Sequence, residues 1–221
     1  MFLASIDGPG EPKLIGRRAF LSLLGGMVAF LFVPTALERL SRVFGAVLYI
    51  GGFVINSVAP APAFAPERWR LAVDGQVDKP LQLAAADVHR LPRVEMTKDF
   101  ACVDGWGVRD VRWAGVPVGQ LLATAGTRSN ATHIVFHSGD GVYSDSLTVA
   151  QARGPDVVLA YEMNGQPLTV EHGFPLRLVV AGSYGYKSVK WVEKVEAVSL
   201  GSDGYKGYWE KQGYPAQAGI L

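Results

Sequence analysis

The 221-residue chain contains a single cysteine, Cys102, so no disulfide can form within it and the sulfur matters only through its own chemistry. Charge is also sparse. Charged residues make up 19% of the chain and the net charge is +1, which lacks the basic excess of a nucleic-acid-binding protein and argues against that partner class. Low-complexity tracts and repeats at solenoid or propeller periods are missing as well, so the chain does not read as an array. What it has in abundance is glycine (26) and proline (13), as in a loop-rich, strand-containing domain rather than a helical bundle. With 49% hydrophobic residues, the length suffices for one domain with a substantial core.

The apolar excess lies at the front. Residues 19–37 carry no charged side chain, and a second apolar run covers residues 43–59 beyond the charged link Glu38-Arg39-Leu40-Ser41-Arg42. Each is near the lower length limit for a membrane-spanning helix, roughly 17–25 residues. Arg17-Arg18-Ala19-Phe20-Leu21 precedes the first run and resembles a twin-arginine export signal, a route that carries proteins already folded around a cofactor. The expectation is a periplasmic protein, or one anchored in the membrane through its N-terminus and facing the periplasm. Ala61-Pro62-Ala63 and Ala63-Phe64-Ala65 look like cleavage sites, but Pro62 and Pro66 disfavour processing, so an uncleaved anchor stays open. Two spans would instead return the domain to the cytoplasmic side. The division expected is 1–65, a signal or anchor with an extended Ala/Pro linker, and 66–221, the folded domain.

Within 66–221, residues 69–73, 133–137, 157–161, 176–180 and 189–198 read as strands, rich in β-branched and aromatic residues. Residues 84–91 read as a short helix stopped by Pro92. Residues 118–125 read as a helix with Leu121, Leu122 and Ala125 on one stripe and Gly126 as a left-handed cap, and Thr148 as the cap of a short helix ending at Gly154. Many short strands without regular β-α-β alternation indicate a mixed α+β fold.

Several residues could carry chemistry. Cys102, in Asp99-Phe100-Ala101-Cys102-Val103-Asp104-Gly105-Trp106, would as a thiolate be a soft metal ligand, although most solitary cysteines are small core residues and Trp106 reads as core. Arg177 interrupts the apolar strand Leu176-Arg177-Leu178-Val179-Val180, so it must either face solvent or meet an anion. Lys187-Ser188-Val189-Lys190 follows soon after and could join it around a phosphate. His172, before Gly173, reads as either structural or a donor. His133 and His137 share one strand face without the further ligands that zinc would need.

The Cys102-to-Trp106 segment, the stretch Leu159-Ala160-Tyr161-Glu162-Met163-Asn164-Gly165-Gln166-Pro167-Leu168, the block His172-Gly173-Phe174-Pro175-Leu176-Arg177 and the turn Lys187 through Trp191 occur in that order. Together they resemble the molybdenum-cofactor domain of the sulfite oxidase superfamily; Cys102 through Trp106 and Gly207 through Tyr214 resemble its bacterial branch, which includes a methionine-sulfoxide reductase catalytic subunit. The resemblance covers roughly residues 69–221. It implies a β-rich sulfite-oxidase-type molybdopterin-binding fold and a molybdenum-molybdopterin cofactor. It also implies metal ligation by Cys102, cofactor contacts from Ser138, His172, Arg177, Ser188, Val189 and Lys190, and an active-site tyrosine at Tyr205. An oxygen-atom-transferring oxidoreductase acting on a small sulfur or nitrogen compound would follow, with electrons exchanged with a membrane or periplasmic haem protein or cytochrome c.

Departures bear on the substrate. The oxyanion-binding arginines of sulfite oxidases are not matched, Arg109 and Arg112 being offset, and the asparagine-and-aromatic segment that the bacterial reductase lays over its cofactor is not read upstream. A tethered binding or assembly module that kept the fold without the chemistry is the alternative. A thiol-based redox protein is disfavoured because no resolving cysteine exists in the chain.

Overall fold

The computed structural model describes residues 48–50, 52–201 and 204–219. The twin-arginine motif and the first apolar run lie outside them. From Leu48 the second apolar run departs from the expected membrane helix. Strands β1 (Leu48–Ile50) and β2 (Phe53–Ile55) pair antiparallel as a hairpin. Gly51-Gly52 interrupts any helical pattern at that point, Gly52 adopts φ 89, and Val54 and Ile55 are β-branched. Among the described residues no helix is long and apolar enough to cross a membrane.

The remaining elements are β3 (Leu71–Gly75), β4 (Leu81–Leu83), α1 (Ala85–Val88), β5 (Val94–Ala101), β6 (Gly107–Pro117), α2 (Val118–Ala125), β7 (His133–Ser138), β8 (Ser144–Thr148), α3 (Val149–Ala152), β9 (Val157–Met163), β10 (Gln166–Pro167), β11 (Arg177–Val180) and β12 (Val192–Val198). Two short 3₁₀ turns, Gly185–Lys187 and Glu210–Gln212, complete the set. One sheet runs β4-β3-β12-β7-β8, with only β3 and β12 parallel. The other runs β10-β9-β6-β5, with β11 also paired to β9 and every pair antiparallel. The architecture is the sheet-rich α+β type that the scattered short strands indicated.

Among the described residues two cores form because the second sheet is buried on both faces. Leu159, Tyr161, Leu178 and Val180 join Leu71, Leu121, Leu122, Ile134 and Phe136 in the larger core. The alternate residues Val158, Ala160 and Val179 join Phe53, Val111, Trp113 and Leu168 in the smaller, aromatic one. Helix α2 forms as its stripe indicated, with Gly126 at φ 69 as the left-handed cap, and the Thr148 side chain accepts from the Gln151 N–H to start α3.

At the β6–β9 crossing the register shifts between Ala114 and Gly115, and a Cβ on Gly115 would stand 2.0 Å from the Leu159 carbonyl oxygen and 2.6 Å from Ala160 Cα. Backbone on both sides leaves nothing flexible to yield. Gly115→Ala should therefore destabilise the domain by more than about 2 kcal/mol in chemical denaturation, while Gly201→Ala, with nothing within 4 Å, should stay within about 0.5 kcal/mol of wild type.

Candidate active site

A cavity of about 370 Å³ opens where the ends of β2, β5, β7, β11 and β12 converge. Cys102 follows β5, Ser138 closes β7, Arg177 opens β11, Lys190 precedes β12, and Asn56 and Ser57 follow β2; all of them line the cavity. His172 and Ser188 line it too.

Arg177 is the centre of this arrangement and is only 4% exposed. The solvent-facing alternative fails because β11 has no exposed face. Leu178 and Val180 enter the larger core, so Arg177, in phase with Val179, must enter the aromatic one. Its guanidinium lies 5.1 Å from the centroid of Trp113 and 5.4 Å from that of Phe100. It donates to the His172 carbonyl at 3.1 Å and the Ser188 carbonyl at 3.3 Å, while Nε is buried without a partner. Among the described residues no carboxylate pairs with it. Burial draws its pKa down to about 10, so it remains a cation.

Gly173 lets the neighbours close in. A Cβ there would sit 3.0 Å from Arg177 Cβ and 3.2 Å from Lys190 Cα, and its φ of 106 suits only glycine. Lys190 Nζ donates to the Asn56 carbonyl (2.9 Å), Ser57 Oγ (2.7 Å) and the Glu171 carbonyl (3.2 Å). Burial first, and then the charge of Arg177, lower its pKa to about 7. The same two effects, in the same order, lower His172 to about 4, leaving a neutral imidazole edge-on to Phe53. Trp191 adopts φ 52, a conformation costing a bulky residue about 1–3 kcal/mol, and is held there by its indole N–H on the Val170 carbonyl at 2.7 Å. That turn separates Lys190 in the cavity wall from Val192 in the core.

Cys102 sits in a turn closed by the Gly105 N–H on its own carbonyl, and its half-buried thiol faces Asp104 Oδ2 at 3.5 Å. Burial is the main reason its pKa lies above the ordinary thiol value, and the Asp104 charge adds to it. Trp106 lines the cavity instead of being fully enclosed; its indole N–H is buried and unpartnered.

Of the residues singled out in the sequence, the structure gathers Cys102, Ser138, His172, Arg177, Ser188 and Lys190 on one cavity. Ser138 Oγ accepts from the Asp140 N–H, and Ser188 Oγ from the Val180 N–H, each at 3.3 Å. Val189, between two lining residues, turns into the larger core. Tyr205 stands outside the lining, its hydroxyl sharing a 2.6 Å hydrogen bond with Ser144 Oγ. His137 pairs with Glu196 at 2.9 Å and His133 lies against Thr132, both away from the cavity. Arg109 and Arg112 are exposed and outside the lining.

Sequence reasoning missed two parts of the wall. Phe53 and Asn56 supply an aromatic and an asparagine just where none was read upstream, because the apolar run that contains them looked like membrane. Trp209 and Tyr214 close the far end of the chain onto the same cavity. An aromatic-rich Gly207-Tyr208-Trp209 tail was the available signal.

Comparison with known proteins agrees with this geometry. The family described as the oxidoreductase molybdopterin binding domain matches residues 58–206. An uncharacterised oxidoreductase, YuiH, of Bacillus subtilis is 37% identical over 147 residues, covering 66% of this chain and 72% of that protein. The putative protein-methionine-sulfoxide reductase subunit YedZ1 of Azospira oryzae is 32% identical over 94% of this chain and 76% of its own length. Rat mitochondrial sulfite oxidase is 33% identical over 73% of this chain, which spans 34% of that enzyme. The crystal structure of the sulfane dehydrogenase SoxCD from Paracoccus pantotrophus superposes with a TM-score of 0.63 at 27% identity, over 68% of this chain and 43% of that one. The chain belongs to the oxidoreductase molybdopterin-binding domain family of the sulfite oxidase superfamily.

Proposed function

We propose that this protein is a molybdenum-cofactor-dependent oxidoreductase of the cell envelope, moving an oxygen atom to or from a small sulfur- or nitrogen-containing compound. The observation that carries the reading is one cavity holding both the chain's sole thiol and a buried guanidinium with no carboxylate partner. The residues fit the cofactor. Arg177 Nε and the Trp106 indole N–H are buried donors without acceptors, and Lys190, Ser188 and Ser138 add polar groups beside a soft metal ligand. Cys102 would hold the metal, Arg177 and Lys190 the phosphate, and Ser138, His172 and Ser188 the polar edges of the pterin. When bound, the cofactor supplies two-electron oxygen-atom-transfer chemistry.

The chain's own part is preparation of that site. At neutral pH the Cys102 thiol is protonated and donates to Asp104 Oδ2 at 3.5 Å, so metal ligation must displace that proton. His172 stays neutral beside two cations and keeps one donor and one acceptor nitrogen. Phe53, Trp106, Trp209 and Tyr214 line the same cavity as an aromatic wall. With Arg109 and Arg112 outside the cavity, a neutral substrate is favoured over the sulfite anion. A haem protein or cytochrome of the membrane or periplasm would exchange the electrons; the Azospira relative is itself named as a subunit, and the Arg17-Arg18 motif favours export.

Metal and pterin analysis of full-length protein from an exporting host tests the assignment. Equimolar molybdenum is expected in wild type and its loss, with loss of turnover, in Cys102→Ser, while the melting temperature changes little. Molybdenum retained by the variant would overturn the ligand role, and none in either protein would favour the binding or assembly module.

Lys190 supplies a second test. Because its charged form is present only below a pKa of about 7, sulfate binding to cofactor-free protein should be tightest below that pH. The affinity should fall by up to about tenfold per unit above it, with proton uptake seen as buffer-dependent calorimetric heats. Lys190→Met should bind weakly and without that pH dependence.

A further inference from the structure

Behind the cavity wall formed by Tyr143 and Tyr186, three ionisable side chains meet out of solvent. Lys187 Nζ donates to Asp145 Oδ1 and to Glu210 Oε1, the latter at 2.7 Å, and all three residues are buried. The remaining oxygens, Asp145 Oδ2 and Glu210 Oε2, are buried with no hydrogen-bond partner. Both carboxyl groups crowd one glycine, since a Cβ on Gly207 would lie 2.4 Å from Glu210 Oε2 and 3.0 Å from Asp145 Cγ. One ammonium cannot neutralise two carboxylates. Unless a proton is retained, a net negative charge sits among buried side chains with two oxygens that no backbone or side-chain donor reaches, an arrangement that buried acid pairs resolve by sharing a proton.

The surrounding groups do not supply that proton. The Tyr143 hydroxyl donates to the Tyr186 carbonyl and the Tyr186 hydroxyl to the Pro215 carbonyl, while the Ser146 N–H is already spent on Asp145 Oδ1. Glu210 belongs to the stretch that brings Trp209 and Tyr214 to the cavity. That stretch is otherwise tied to the sheet by the Tyr208 N–H on the Ser144 carbonyl at 3.0 Å and by ring contacts of Tyr208 with Tyr143 and Tyr214 with Tyr186.

We propose that Asp145, Lys187 and Glu210 form a positioning clamp in which the two carboxyl groups share one proton, and that loss of this proton loosens the Trp209 and Tyr214 wall of the cavity. Burial first, opposed by Lys187 and reinforced by the Glu210 charge, holds the Asp145 carboxyl above the usual carboxylate range. A group whose pKa is raised in the closed form binds its proton there preferentially. Closure is therefore complete below the ordinary carboxylate pKa, weakens as pH rises through the raised value, and is flat beyond it.

The test is amide hydrogen exchange of the full chain, read in the peptide 207–214, corrected for intrinsic rates and referenced to β12. Between about pH 4 and about pH 8 the opening equilibrium of this peptide should rise at least about tenfold while β12 is unchanged. Asp145→Asn and Glu210→Gln each remove the shared acid and should abolish that rise, and Lys187→Met should open the peptide throughout. Wild-type protection that is constant over the range, or a rise that persists in both neutralised variants, would overturn the clamp; having both variants covers the case in which one fails to fold. Amide exchange needs no cofactor, so failure of the molybdenum assignment would leave this result standing.

Discussion

A guanidinium buried, among the described residues, without a carboxylate is the constraint around which the site is organised. Taking Arg177 out of water costs several kcal/mol, only part of which is returned by two backbone carbonyls and two aromatic faces. The arrangement persists because β11 is sandwiched between two cores and offers its first residue no route to solvent. Gly173, Ser188 and Lys190 then follow as consequences: the glycine admits the close approach, the serine carbonyl caps the guanidinium, and the lysine adds a second positive charge. A cavity left so rich in positive potential is built to take an anion.

Opposite excesses lie on the two sides of the Tyr143 and Tyr186 wall. On the cavity side, burial first and then the charge of Arg177 keep His172 neutral and draw the Lys190 pKa down to about 7. On the far side, Lys187 is outnumbered by Asp145 and Glu210. Neither cluster neutralises the other across the ring wall, so each meets its imbalance locally, one by an incoming anion and the other by a retained proton.

The cavity is also larger in sequence than the family match. Residues 58–206 supply the thiol and the cations, but Phe53, Asn56 and Ser57 stand before that span and Trp209 and Tyr214 after it. The cation-bearing floor thus lies inside the family match, whereas the Phe53, Trp209 and Tyr214 parts of the wall come from flanking segments, one of which anchors Lys190 directly through Ser57. Differences in substrate among relatives of this chain would fall most naturally on those walls.

What the sequence determined by itself was local. Helix α2, its Gly126 cap, the Thr148 cap and the strands around 71–75, 133–138, 157–163, 177–180 and 192–198 were legible because periodicity, β-branching and capping chemistry act within a few residues. The motifs around Cys102, His172, Arg177 and Ser188 were legible through their resemblance to the sulfite oxidase superfamily, whereas the residue types alone left each of them open. The two longest strands, β5 and β6, were not, since charged residues such as Lys98, Asp99, Arg109 and Asp110 break their apolar pattern and their pairing is satisfied across the sheet. Likewise the hairpin at 48–55 was hidden inside a run hydrophobic enough to read as membrane. Tertiary structure alone decided that Arg177 is enclosed while Val189 between its partners is core, that Tyr205 bonds Ser144 outside the cavity, and that Phe53 and Trp209 share one cavity. Those outcomes depend on which face of a sheet is covered and by what, and that is settled by contacts between segments distant in sequence, such as Tyr205 with Ser144 or Arg177 with Trp113.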